Sequence, residues 1–124
     1  MHFVRLTLSA YDNYHYSDAS NIEMNILGNF LTDDVGCRGS SFKEFAFNEW
    51  EVETASNITS LRKKNGNIFL SDLYSEKSEP IELEMTSAQF IQLLDDWEAK
   101  VCKKKPKEVT IKYENDQFTI ETKD

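Results

Sequence analysis

Apolar residues recur at steps of three and four between Thr86 and Pro106, which is the spacing of one side of an α-helix. Thr86 and Gln89 stand in the order of a capping box, and Pro106 cannot continue a helix. We therefore predict a helix at about residues 87–104. Its apolar stripe is wide enough to need a surface to lie on, and it consists of Phe90, Leu93, Leu94, Trp97 and Val101.

Alternating apolar and polar residues, which are typical of half-buried strands, predict β-structure at both ends of the chain. The clearest example is residues 2–9, where Val4, Leu6 and Leu8 share one side. Asn65-Gly66 separates two further segments, and this dipeptide is the strongest short signal for a hairpin. We predict strands at residues 2–9, 58–64, 68–74, 80–85, 109–113 and 118–120, with the last two forming a second hairpin.

The N-terminal third carries weaker signals. Residues 21–31 fit both a helical and a strand pattern, and we favour a helix, although Gly28 disfavours it through its backbone entropy. The polar segment before it, which contains Tyr11, Tyr14 and Tyr16, is predicted to be a loop. Residues 32–41 after it have the composition of a turn-rich connection.

The order of these elements predicts the fold class. For residues 41–50 two interpretations remain: a short helix that begins at Ser41, or a strand. The other segments predict an α+β domain: a mostly antiparallel β-sheet with the long C-terminal helix (about 87–104) packed on one face and a second helix near 20–31. We see no linker or internal repeat, so we expect one domain, residues 1–124.

The composition indicates a folded protein outside the membrane. The 124 residues are 40% hydrophobic, yet none of the apolar runs approaches the about 18 residues that a membrane span needs. The N-terminus lacks the apolar core of a signal peptide, so we expect a cytoplasmic location and no membrane partner. Cys37 and Cys102 have no CxxC spacing, and we expect two unpaired thiols in a reducing compartment.

The motifs of the common catalytic and metal sites are missing from the sequence. It contains no HExxH, no zinc-type spacing of Cys and His, no GxSxG and no glycine-rich phosphate loop. His15 lies near Asp12 and Asp18 in the sequence and is the main candidate for acid–base chemistry. We expect no catalytic residues, no bound metal, no cofactor and no enzymatic activity.

The net charge is the most informative bulk property. A charge of −8 repels the phosphate backbone of nucleic acids and attracts basic proteins. Carboxylates accompany aromatic rings in two segments, and this combination suits a basic protein partner because rings anchor and charges steer. A solvated strand face is the alternative interpretation. The candidate partner-binding residues are Asp72, Tyr74, Glu76, Glu79, Glu49, Trp50, Glu51, Glu53, Asp33 and Asp34.

Three segments carry a resemblance to a known family: LSDLYSE at residues 70–76, LLDDW at residues 93–97 and KPKEVTI at residues 105–111. The C-terminal two thirds, in which they lie, resembles the immunity proteins of contact-dependent growth inhibition and related polymorphic toxin systems. The resemblance implies a cytoplasmic inhibitor that binds the toxin domain, and we expect a monomer or a 1:1 heterodimer with the toxin. Its partner would be a cognate basic ribonuclease domain, whose active site or access to RNA it blocks. It implies no contact residue by position, since the binding residues of such families vary with the toxin.

Two other classes of function fit the same sequence. One is a small-molecule or peptide-binding α+β module without catalytic activity, whose pocket is lined by Tyr11, Tyr14 and Tyr16. The other is a hydrolase that uses His15 together with Asp12 or Asp18.

Overall fold

Two antiparallel sheets and three α-helices make up the described residues, which are 1–47, 52–74 and 81–124 of this computed structural model. The strands are β1 (His2–Leu8), β2 (Tyr14–Ala19), β3 (Val52–Ala55), β4 (Thr59–Lys64), β5 (Asn67–Asp72), β6 (Glu82–Thr86), β7 (Glu108–Glu114) and β8 (Gln117–Lys123). The helices are α1 (Ile22–Asn29), α2 (Ser40–Phe47) and α3 (Ser87–Trp97), and π-helical turns follow α1 (Phe30–Val35) and α3 (Glu98–Cys102).

The helices of this α+β fold pack against two sheets instead of one. The first sheet has the strand order β2-β1-β7-β8 and the second the order β3-β4-β5-β6. Both α1 and α3 contact strands of each sheet, so the two inner faces share one core. The α+β class is confirmed, and the long helix packs against both sheets. The buried strand residues include Val4, Leu6, Val109, Ile111, Leu61, Ile68, Leu70, Leu83 and Met85.

The long C-terminal helix forms as predicted. Thr86 Oγ1 accepts a hydrogen bond from the Gln89 amide at 3.0 Å, and the Gln89 side chain accepts one from the Thr86 amide at 2.8 Å. This capping box starts α3, and all five residues of the predicted stripe are buried. The helical path continues through the π-helical turn, close to the predicted end. None of the helices in the part of the chain that the structure describes is long and apolar enough to cross a membrane.

The N-terminal third differs most from the prediction. The tyrosine-containing segment is the edge strand β2 and not a loop. Most of its side chains are exposed, so it lacks the hydrophobic alternation that marks a strand. The second helix is confirmed as α1, but the π-helical turn extends it into the predicted connection. Residues 40–47 form α2, so the helix is the correct alternative there.

Both predicted hairpins are confirmed, and the Asn65-Gly66 turn has the positive φ angles that its sequence indicates. Asn65 and Gly66 have φ angles of 54° and 80°, and Asn115 and Asp116 have φ angles of 54° and 59°. Positive φ at both central positions is the requirement of a two-residue type I′ turn. The short edge strand β3 was not predicted.

Gly28 lies where α1 crosses β1 and allows their close approach. A Cβ atom built on Gly28 would lie 2.7 Å from Val4 Cγ2 and 3.4 Å from Leu6 Cδ2. Both of these partners are buried in the core and belong to β1. The glycine that weakens the helix signal in the sequence is therefore the residue that lets the helix pack.

We predict that Gly28→Ala lowers the free energy of unfolding by up to about 2 kcal/mol, because overpacking a core usually costs about 1–3 kcal/mol. The higher helix propensity of alanine works against this by about 1 kcal/mol. Urea denaturation measures the difference. Gly39→Ala is the matched control, because a Cβ there meets only ordinary contacts at 3.7 Å and beyond. Equal stability of the two variants would contradict the prediction.

Cys37 and Cys102 form a disulfide, so the expectation of two unpaired thiols is wrong. The π-helical turn after α3 carries Cys102, and the segment after Val35 carries Cys37. Trp97 Nε1 donates a hydrogen bond to the Gly36 carbonyl at 2.7 Å and holds this segment against α3. The pair is separated by 65 residues, and no local pattern reports such proximity.

Candidate protein-binding groove

A groove of about 430 Å³ runs between the outer side of α1 and the adjoining ends of β4 and β5. We call it the α1 groove. One wall is formed by α1 residues Ile22, Asn25, Ile26 and Asn29, and the other by Ile58, Thr59, Asp72, Tyr74 and Ile81. Its lining is more apolar than polar and carries a few hydrogen-bonding side chains, which is the usual make-up of a binding site.

The helical wall is a direct consequence of where α1 begins. Asn21 is the N-cap, and its Oδ1 accepts a hydrogen bond from the Met24 amide at 2.9 Å. The four lining residues of α1 then follow at steps of three, one and three, and so share one side of the helix. The neighbouring residues Met24 and Leu27 face the core.

The opposite wall is set by the end of the β4–β5 ladder. Thr59 and Asp72 are the last pair in register, and the Leu73 amide then donates to the Ile58 carbonyl at 3.0 Å. Asp72 Oδ1 accepts a hydrogen bond from the Tyr74 amide at 2.9 Å, which turns the chain immediately after the strand. This turn holds Tyr74 at the rim.

The rim of the α1 groove exposes large apolar side chains. Tyr74 is 70% exposed and Ile22 is 52% exposed, and Leu73, which precedes Tyr74 in the chain, is 39% exposed. Asp72 lies beside them and is the only charged group among the described lining residues. An apolar patch with a ring and a carboxylate is the arrangement of an interface anchor.

Asp72 and Tyr74 are the two predicted partner-binding residues that the structure brings together. Asp33 is exposed on the π-helical turn that follows α1. Glu53 is exposed on the edge strand β3, where it faces Arg62 in register. Glu49, Trp50, Glu51, Glu76 and Glu79 lie outside the described residues.

Asp34 has a different environment from the other candidates. It is half-buried, and its Oδ1 accepts a hydrogen bond from the Ile58 amide at 3.1 Å. Its Oδ2 is buried, and no described residue bonds to it. Asp34 thus ties the π-helical turn to the wall of the α1 groove, and we leave it out of the contact surface.

The carboxylates on the outer face of the second sheet are engaged within the protein. Arg62 binds Glu82 in a bidentate manner, with Nη2 at 2.9 and 3.1 Å from the two oxygens, and also covers the ring of Phe69 at 4.4 Å. Glu84 accepts a hydrogen bond from Asn67 Nδ2 at 2.7 Å. The α1 groove is therefore a more open acidic site than this face.

The three N-terminal tyrosines do not share a pocket. A smaller cavity of about 210 Å³ is lined by Tyr14, Trp97 and the disulfide, whereas Tyr11 is 90% exposed and Tyr16 is 44% exposed. The Tyr14 hydroxyl donates to the Pro106 carbonyl, and its ring meets Trp97 edge to face at 6.0 Å. Burial, and to a lesser degree the charges of nearby carboxylates, raise the pKa of Tyr14. Tyr14 therefore has a packing role.

The histidine–aspartate group of the hydrolase hypothesis is not assembled. Asp18 pairs with Arg5 at 3.6 Å, and Asp12 pairs with Lys105 at 3.7 Å. His15 lies on β2 opposite Thr7, and no hydrogen bond in the described part of the chain joins it to either aspartate.

The residues of the α1 wall were not predicted as a site. Their apolar members looked like part of an ordinary helix, and Asn25 and Asn29 carry no charge. The signal in the sequence is the recurrence of Ile22, Asn25, Ile26 and Asn29 on one helical side, of which Ile26 also belongs to the core. That signal becomes interpretable only once the facing wall is known.

Comparison of the chain with protein-family models, with curated proteins and with solved structures finds no match.

Proposed function

We propose that this protein is an immunity protein that binds and neutralises a cognate basic nuclease domain, a ribonuclease by the resemblance described above. It acts without catalysis, as a cytoplasmic monomer that forms a 1:1 heterodimer with the toxin. Binding blocks the active site of the toxin or its access to RNA. The α1 groove, with Asp72 and Tyr74 at its edge, is the contact surface.

The observation that carries the proposal is the state of Tyr74. Its backbone is held by Asp72, yet its side chain is 70% exposed and lines the α1 groove together with the exposed Ile22. Burying this apolar surface in an interface favours association. The loss of side-chain conformational entropy is small, because a ring has few rotatable bonds to immobilise. The net charge of −8 speeds the encounter with a basic partner.

The test is co-expression of this chain with the basic C-terminal domain of the toxin encoded immediately upstream of its gene. A complex that co-purifies and protects RNA from cleavage supports the proposal. Association should also slow as salt rises, since the charges steer it. Absence of a complex together with unprotected RNA would refute the proposal.

We predict that Tyr74→Ala weakens toxin binding at least about 30-fold, the effect of losing an interface anchor of about 2 kcal/mol. Calorimetry or surface plasmon resonance on the purified pair measures it. Tyr11→Ala is the matched control, because Tyr11 is a 90% exposed tyrosine that does not line the α1 groove. Equal affinities of the two variants would place the contact elsewhere.

A second candidate function is a peptide or small-molecule binding module without catalysis. The volume of the α1 groove, about 430 Å³, falls within the range of small-molecule sites. Ligand-observed NMR with a fragment library separates the two proposals. Fragments that bind the wild type and lose binding in the Tyr74→Ala variant, with no toxin complex formed, would favour this candidate.

A further inference from the structure

The α1 groove contains two carboxamides that have no hydrogen-bond partner among the described residues. Asn25 and Asn29 are half-buried and lie one turn apart on α1. No hydrogen bond from either carboxamide to another described residue is present. A half-buried carboxamide can donate two hydrogen bonds and accept two, so these side chains are available to an occupant of the groove.

The spacing of the two carboxamides matches an extended peptide. Residues four apart on a helix are separated by about 6 Å along its axis. Two residues of an extended strand advance by about 6.6 Å. Asn25 and Asn29 can therefore pair with the peptide groups of alternate residues in an extended segment that lies along α1.

The charge at the opposite wall selects a cation. One oxygen of Asp72 accepts a hydrogen bond from the Tyr74 amide, and Asp72 is exposed and lines the groove together with Tyr74. The described lining of the groove contains no lysine or arginine that would repel a positive group. An arginine or lysine at this position gains both the charge of Asp72 and the face of the ring.

The apolar lining selects the neighbour of that cation. Ile22, Ile26, Ile58 and Ile81 provide an aliphatic surface along the same groove. Side chains two apart in an extended segment point to the same side. The occupant that fits has an apolar side chain two residues from its basic one.

We propose that the α1 groove holds one extended segment of the toxin. Its peptide groups pair with Asn25 and Asn29, its arginine or lysine binds Asp72 beside Tyr74, and a nearby apolar side chain covers the isoleucines. This inference rests on the proposed function and adds the chemistry of the partner segment.

The test measures binding of the toxin domain to three variants of the full chain. Asp72→Asn keeps the oxygen that accepts the Tyr74 amide but removes the charge. The double variant Asn25→Ala and Asn29→Ala removes both carboxamides and replaces them by a better helix former. We expect each to weaken binding about 10-fold or more. Glu114→Gln, at an exposed carboxylate outside the groove, should change affinity by less than about 2-fold.

Substitutions in the toxin identify the partner of Asp72. Each arginine and lysine of the toxin domain is replaced in turn, and binding is measured with wild-type protein and with Asp72→Asn. One substitution should weaken binding to the wild type and have little further effect on the variant, because the two changes remove the same contact. The salt dependence of affinity should be less steep for Asp72→Asn than for Glu114→Gln.

The outcomes separate the two proposals. Weaker binding in the groove variants, coupled to one basic residue of the toxin, supports the inference. The inference is overturned if all variants bind and neutralise the toxin equally. It is also overturned if none of the toxin's basic residues shows coupling to Asp72 in the paired substitutions. Either result leaves the immunity function standing. A toxin that the wild type does not bind overturns both.

Discussion

Reducing the Cys37–Cys102 disulfide is expected to lower the free energy of unfolding by about 4 kcal/mol, according to the chain-entropy relation for a closed loop of this length. The crosslink closes a loop with a sequence separation of 65 residues. It thereby removes many open conformations from the unfolded chain. Folded domains are stable by only about 5–15 kcal/mol, so this is a large share of the total.

Urea denaturation of the wild type with and without reductant measures this effect. The double variant Cys37→Ser and Cys102→Ser is the second measurement, and in the absence of reductant it should match the reduced wild type. Reductant should leave the double variant unchanged, which controls for any other action of the reagent. Equal stability of oxidised and reduced wild type would contradict the prediction.

The disulfide also bears on where the proposed function takes place. Disulfides persist in oxidising compartments and are rare in the cytosol. A cytoplasmic inhibitor must therefore fold and bind its toxin with Cys37 and Cys102 reduced. Protection of RNA by the double serine variant supports the cytoplasmic proposal. A reduced protein that is unfolded would place its action in an oxidising compartment.

Replacing Phe30 by alanine is expected to lower the free energy of unfolding by about 3–5 kcal/mol, the usual cost of removing a buried phenylalanine. Phe30 is 1% exposed and joins three helical segments. It follows α1 directly, meets Phe42 of α2 edge to face at 5.0 Å and lies 5.9 Å from Phe90 of α3. Alanine would leave a cavity where these elements meet.

Urea denaturation checks this prediction against a matched phenylalanine. Phe47 is at the end of α2 and is 68% exposed, so Phe47→Ala should change the free energy of unfolding by no more than about 0.5 kcal/mol. Similar losses in the two variants would show that the effect comes from the substitution itself and not from the packing of Phe30.

Several elements could be predicted from the sequence because their signals are local. The capping box of Thr86 and Gln89, the stripe of α3 and the Asn65-Gly66 turn each depend on residues within a few positions of one another. Strand β1 could be predicted for the same reason, since alternation is a property of neighbours. Helix α1 was predicted in spite of Gly28, and the close approach to Val4 explains the glycine.

Other features depend on contacts between residues far apart in the chain. The exposed strand β2 lacks the alternation of apolar and polar residues that marks a strand in the sequence. The division into two sheets follows from strand pairings that no local pattern encodes. The disulfide joins Cys37 to Cys102 only because the π-helical turn after α3 lies against the segment that follows α1.

The candidate site divides in the same way. Charge and aromatic content placed Asp72 and Tyr74 among the candidate contact residues, and their role in binding stays a prediction. The facing side of α1, with Asn25 and Asn29, was selected only by the tertiary structure, because α1 and the end of β5 are separated by the whole of α2 and two strands. The local sequence thus predicted the β4–β5 hairpin and the kind of side chains that follow it in one wall of the groove. Only the tertiary structure placed the side of α1 opposite this wall. A groove needs two facing surfaces, and the local sequence of one surface does not specify the position of the other.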